Sequence, residues 1–107
     1  MSDLARLTAR ATRVSDMYRA AFGIPDDPAY LAGKLAEEAG EVMGAHLRMQ
    51  GLSRGADADP AGLRRALEDE LADLFGYLLA YCDRHGIDPA AAFERKWGRY
   101  LEETDDA

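Results

Sequence analysis

Glu38 and Glu41 in one helical segment, and Glu70 and Asp73 in the next, interrupt faces otherwise built from leucine, valine, alanine and tyrosine. An ionised carboxylate facing a core is costly unless a positive group neutralises it. Clustered oxygen ligands suit a hard divalent cation, Mg2+ first, with Mn2+ as a substitute. Without such a cation the four groups cannot all stay ionised, because like charges at close range raise one another's pKa values. The chemistry this constellation points to is metal-assisted reaction at phosphates. No serine, cysteine or histidine is placed as a covalent nucleophile, so direct attack by water is the simpler route.

Helical geometry sets which of these groups can meet. At about 100° per residue, Glu37, Glu38 and Glu41 fall within about 100° of one another. Glu38 lies inside the arc of Leu31, Leu35 and Val42, with Lys34 beside it. Glu70 is inside the apolar arc of its own segment, and Asp73 lies at the edge, near Ala66, Tyr77 and Ala80. Lys34 suits either contact with phosphate or neutralisation of Glu37 or Glu38 one turn away. A redox di-iron bundle needs Glu-x-x-His on two helices. Here the residue three before His46 is Met43, and the residue three before His85 is Cys82. His46 falls on the apolar side and reads as a packed residue. His85, next to Gly86, suits a helix C-terminus.

Three Asp-Pro pairs mark the elements that must hold these groups. Asp27-Pro28, Asp59-Pro60 and Asp88-Pro89 each place an N-cap acceptor before a proline suited to the first helical position. Gly23, Gly51, Gly55 and Gly86 supply the stops. The spacing predicts helices over roughly 3–22, 28–50, 60–85 and 89–103. Their expected inner faces are Leu4, Leu7, Ala11, Val14 and Tyr18; Leu31, Leu35, Glu38, Val42 and Ala45; Leu63, Leu67, Glu70, Leu74, Tyr77 and Tyr81; and Phe93, Trp97, Tyr100 and Leu101. No useful stretch alternates with a strand period. The expectation is one all-α domain over 1–107, an antiparallel, four-helix-bundle-like fold. Gly33, Gly40 and Gly44 share one side of the second helix. Three interior glycines cost about 3 kcal/mol relative to alanine, and close approach of another helix, within the subunit or across a dimer, is favoured over room for a base or sugar as the compensation.

Composition narrows the partners. With 107 residues and a net charge of −7, the chain disfavours nucleic-acid polymers and anionic membranes, and an anionic substrate needs a mediating cation. A hydrophobic fraction of 48% in so small a helical chain predicts an uncovered apolar face, hence a homodimer or homotetramer. Cys82 is the single cysteine and fits a reducing compartment. Asp3, Arg6, Arg10 and Arg13 break up any apolar opening run, so the expected location is cytoplasmic.

At the acidic residues a resemblance becomes specific. Glu37-Glu38-Ala39-Gly40-Glu41 followed by Glu70-Leu71-Ala72-Asp73 resembles the EExxE…ExxD signature of MazG-like nucleoside triphosphate pyrophosphohydrolases, all-α enzymes of the dimeric dUTPase superfamily. Lys34-Leu35-Ala36, the run Asp73 to Leu79, and Gly86-Ile87-Asp88-Pro89 with Lys96 are similar to the family text around those motifs, so the likeness covers roughly residues 28 to 101. It implies Mg2+ held by Glu38, Glu41, Glu70 and Asp73, and Glu37 orienting or deprotonating the attacking water. It places Lys96 near the phosphates, although Glu94 stands where the family often has asparagine. Lys34 and Trp97 join Lys96 as substrate-binding candidates, Trp97 as the aromatic best suited to stack on a base. The implied reaction is hydrolysis of a nucleoside triphosphate to the monophosphate and pyrophosphate. Phosphoribosyl-ATP is the alternative substrate, and a helical partner-binding module without activity is the alternative of another class.

Overall fold

The structure, a computed structural model, describes residues 1–105, which form helices and short turns with no strand among them. Helix α1 spans Asp3–Phe22, α2 Pro28–Met49 and α3 Pro60–Arg84. A C-terminal arm follows, made of α4 (Pro89–Phe93), a π-helical turn (Glu94–Gly98) and α5 (Arg99–Asp105). The chain is all-α, as its periodicity predicts. No helix among the described residues is long and apolar enough to cross a membrane.

The Asp-Pro pairs act as expected. Asp27 accepts from the Ala29 N–H, Asp59 from Gly62 and Asp88 from Ala90 and Ala91, while each following proline occupies the first turn, where a missing N–H costs nothing. Ser2 caps α1 in the same way, accepting from the Ala5 N–H. Gly23 ends α1 with φ near 65°, a left-handed conformation that a side chain would strain.

Helix α3 is the centre of the molecule, with α1 and α2 both packed against it. Tyr77 pairs with Tyr30 and Lys34, while Glu70 feels the charge of Glu38 and Glu41, so α2 and α3 run antiparallel. The expected stripes of both helices face inward: Leu31, Glu38 and Ala45 are buried, as is Leu63, and Leu35, Val42, Leu67, Glu70, Leu74, Tyr77 and Tyr81 are half-buried. Leu79, Ala80 and Cys82 complete the small core. Polar contacts tie α1 to the end of α3. Thr12 Oγ1 donates to Asp83 Oδ2 at 2.9 Å, and Asp26 lies between Arg19 and Arg84 at 3.8 and 3.5 Å.

Three expectations need correction. The inward face of α1 is Leu4, Thr8, Ala11, Thr12, Ser15 and Arg19, leaving Leu7, Val14 and Tyr18 exposed. Small and hydroxylated residues let α1 come close to α3, so the larger apolar residues are turned aside. His46 is exposed rather than packed. Within the subunit, the close approach expected beside the glycines of α2 is not found among the described residues: a Cβ at Gly33 or Gly40 would meet nothing within 4 Å, and at Gly44 only the guanidinium of Arg48.

The arm makes its main contacts within itself. Phe93 stacks on Trp97 with ring centroids 5.6 Å apart, and both remain exposed, as do Tyr100 and Leu101. The Cα radius of gyration is 17.0 Å, against about 13 Å for a compact chain of this length.

Candidate metal and ligand site

Glu70 and Asp73 lie three residues apart on α3, which sets them on neighbouring positions of one helical face. Glu38 approaches from antiparallel α2. One carboxylate oxygen from each of Glu38, Glu70 and Asp73 lies within 4.8 Å of the other two. Glu38 is 8% exposed, Glu70 half-buried and Asp73 exposed, so the trio sits where the α2–α3 seam opens to solvent. Glu41 is exposed and stands outside this trio, though its charge still acts on Glu70.

The electrostatics match that crowding. Desolvation pushes the Glu70 carboxyl above its ordinary value, and repulsion from Asp73, Glu38 and Glu41 adds to it, while Arg48 opposes the shift. Lys34 is the nearby counter-charge. Its ammonium hydrogen-bonds Glu37 at 2.5 Å and lies 3.5 Å from Glu38. It also lies over the Tyr77 ring, 5.2 Å from the centroid. The hydrogen bond to Glu37 raises the Lys34 pKa most, with partial burial opposing it. Burial and the hydrogen bond with Tyr30 push the Tyr77 phenol up to about 12, so it stays a neutral hydrogen-bonding group. Of the two roles expected for Lys34, neutralisation of Glu37 and Glu38 is the one its contacts fit. Lys96 and Trp97 lie on the C-terminal arm, in the π-helical turn, and neither borders the trio or the cavity beside it.

That cavity, of about 620 Å³, opens between α1 and α3 and reaches the acidic trio. Glu38, Asp73 and Lys34 are its charged lining, and Val14, Tyr18, Phe75 and Leu79 supply apolar walls. Pockets for small ligands are of this size and character, mostly apolar with a few placed polar groups. Ser15 and Gly76 also line it. Ser15 is 9% exposed, and its hydroxyl has no hydrogen-bond partner among the described residues. Gly76 interrupts the interior of α3, where glycine costs about 1 kcal/mol relative to alanine. A Cβ there would meet nothing within 4 Å, so the absent side chain leaves cavity space instead of admitting a neighbour. Sequence reasoning missed Arg10, Ser15 and Gly76 as lining residues. The glycine inside an apolar helix was a usable signal; the other two depend on how α1 crosses α3.

Compared with protein-family models, curated proteins and solved structures, the chain matches none.

Proposed function

We propose that this chain is a MazG-like, Mg2+-dependent nucleoside triphosphate pyrophosphohydrolase, releasing pyrophosphate and a nucleoside monophosphate. The observation that carries this reading is the convergence of Glu38, Glu70 and Asp73 from two helices, one of them almost fully buried. Ligands 2.0–2.1 Å from a single Mg2+ are at most about 4.2 Å apart, so oxygens within 4.8 Å need only small side-chain adjustments to share one ion. The donor set is all oxygen, as that ion prefers.

When bound there, Mg2+ would polarise phosphoryl oxygens and lower the pKa of water in its shell. The protein's own groups supply the rest. Glu38, Glu70 and Asp73 hold the charge that draws the cation in, which an anionic substrate needs in a chain of net charge −7. Lys34 restrains Glu37 beside the trio, keeping a carboxylate at hand to accept the proton of the attacking water. Lys96 and Trp97 lie on the arm, and their role at the phosphates or base belongs to the same proposal. Exposed Phe93, Trp97, Tyr100 and Leu101 support association into a homodimer or homotetramer.

The deciding experiment offers ribo- and deoxyribonucleoside triphosphates with and without Mg2+, products being identified by phosphorus NMR. Pyrophosphate release that requires Mg2+ and disappears in Asp73→Ala is the expected result. Orthophosphate as the released species, or turnover unchanged in that variant, refutes the assignment.

A further inference from the structure

We propose that the cavity between α1 and α3 is the nucleoside pocket of this site, with the Ser15 hydroxyl its polar contact and Gly76 the position that keeps it open. The inference rests on the pyrophosphohydrolase reading and adds to it the residues that select the substrate.

Three observations converge. Glu38 and Asp73 belong both to the cavity lining and to the acidic trio, so a ligand whose phosphates reach the trio has this space open to its remaining bulk. Its other walls, Val14, Tyr18, Phe75 and Leu79, are apolar or aromatic and suit the faces of a base. The Ser15 hydroxyl lines the cavity, has no hydrogen-bond partner among the described residues and stays open to solvent, so the polar edge of a base or sugar can take the place of water there as donor or acceptor. Gly76 is the independent sign that the space matters. Helix propensity favours almost any other residue at this point of α3, and no neighbouring atom requires a glycine.

The test separates the nucleoside from the phosphates. Affinities for α,β-imido nucleoside triphosphates and for inorganic tripolyphosphate are measured by calorimetry in Mg2+, on wild type, Ser15→Ala, Gly76→Leu and Phe75→Ala. Expected are a loss of tenfold or more in nucleotide affinity for Gly76→Leu and threefold or more for Ser15→Ala, with tripolyphosphate affinity unchanged in both. Should Gly76→Leu fail to fold, Phe75→Ala, at a half-exposed wall position, carries the same comparison. Nucleotide affinity unchanged in these variants overturns the pocket and leaves the pyrophosphohydrolase reading standing. Equal losses for nucleotide and tripolyphosphate also overturn it, by locating the damage at the acidic trio. A change in oligomeric mass on light scattering for Gly76→Leu overturns it in favour of a subunit interface. Wild type that binds none of the nucleotides removes the pyrophosphohydrolase reading and the pocket together.

Discussion

Lys34→Met is the most informative single perturbation of the acidic seam. Methionine keeps an unbranched, helix-favouring side chain and removes only the ammonium. The loss has three parts. The pair with Glu37, whose side chain is 59% exposed, is worth only about 0.5 kcal/mol. The pair with Glu38 joins side chains 17% and 10% exposed, and stripping one partner from a fully buried pair costs about 3–5 kcal/mol. Because this pair is 3.5 Å long and borders an open cavity, about 1–2 kcal/mol is the appropriate share. Loss of the cation over the Tyr77 ring adds about 1 kcal/mol. The variant should therefore be about 2–4 kcal/mol less stable at neutral pH, a fall of roughly 10–25 °C in Tm for a domain of this size.

Urea denaturation followed by far-UV circular dichroism measures this difference. Its pH dependence has a fixed sign. Folding raises the Lys34 pKa, so its contribution is complete below the ordinary lysine value of 10.5 and is lost as pH climbs through the higher folded value. A difference below about 1 kcal/mol at pH 7, the range of surface pairs, refutes the argument that Lys34 neutralises the seam.

Other perturbations probe separate features. Glu70→Gln should raise the metal-free Tm at pH 7: a carboxyl whose folded pKa is raised favours the folded state at low pH and loses that advantage as pH rises through the raised value. A lower metal-free Tm in that variant would contradict the assigned repulsion. Leu79→Ala removes the most deeply buried large side chain among the described residues, 2% exposed, and should cost about 2–5 kcal/mol by chemical denaturation. Asp27→Ala deletes the acceptor for the Ala29 N–H, so a loss of about 0.5–2 kcal/mol is expected, and no change would mean the Pro28 turn holds α2 by itself.

Much of the helical layout is legible in the residues, because its signals are local. An Asp-Pro pair supplies both the cap acceptor and a preset φ, and it does so three times where helices begin. The inward stripes of α2 and α3 follow from spacing alone, including the placement of Glu38 and Glu70 among apolar neighbours. The face of α1 is not legible in this way. Hydropathy ranks Leu7, Val14 and Tyr18 above Thr8, Thr12 and Ser15, yet the smaller residues allow the close approach to α3 and the larger ones border the cavity. The site divides along the same line. Three of four predicted carboxylates meet, since α3 holds Glu70 and Asp73 side by side and Glu38 faces them from α2, whereas Glu41 depends on the exact rotation of α2. Arg10 and Ser15 border the space only because of how two helices cross. The π-helical turn at Glu94–Gly98, inside helical backbone that runs on from Pro89 to Asp105, is likewise silent in the apolar period of Phe93, Trp97 and Leu101.

Burial of Cys82 has a practical reach beyond the core it helps fill. Its environment pushes the thiol up, away from the thiolate form that reacts with alkylating probes. As the chain has no second cysteine, a sulfhydryl introduced on the exterior of the arm or of α1 would accept a fluorophore or spin label in an otherwise wild-type background. Distances between those two stations, read by energy transfer or pulsed resonance, then follow directly from single and double insertions.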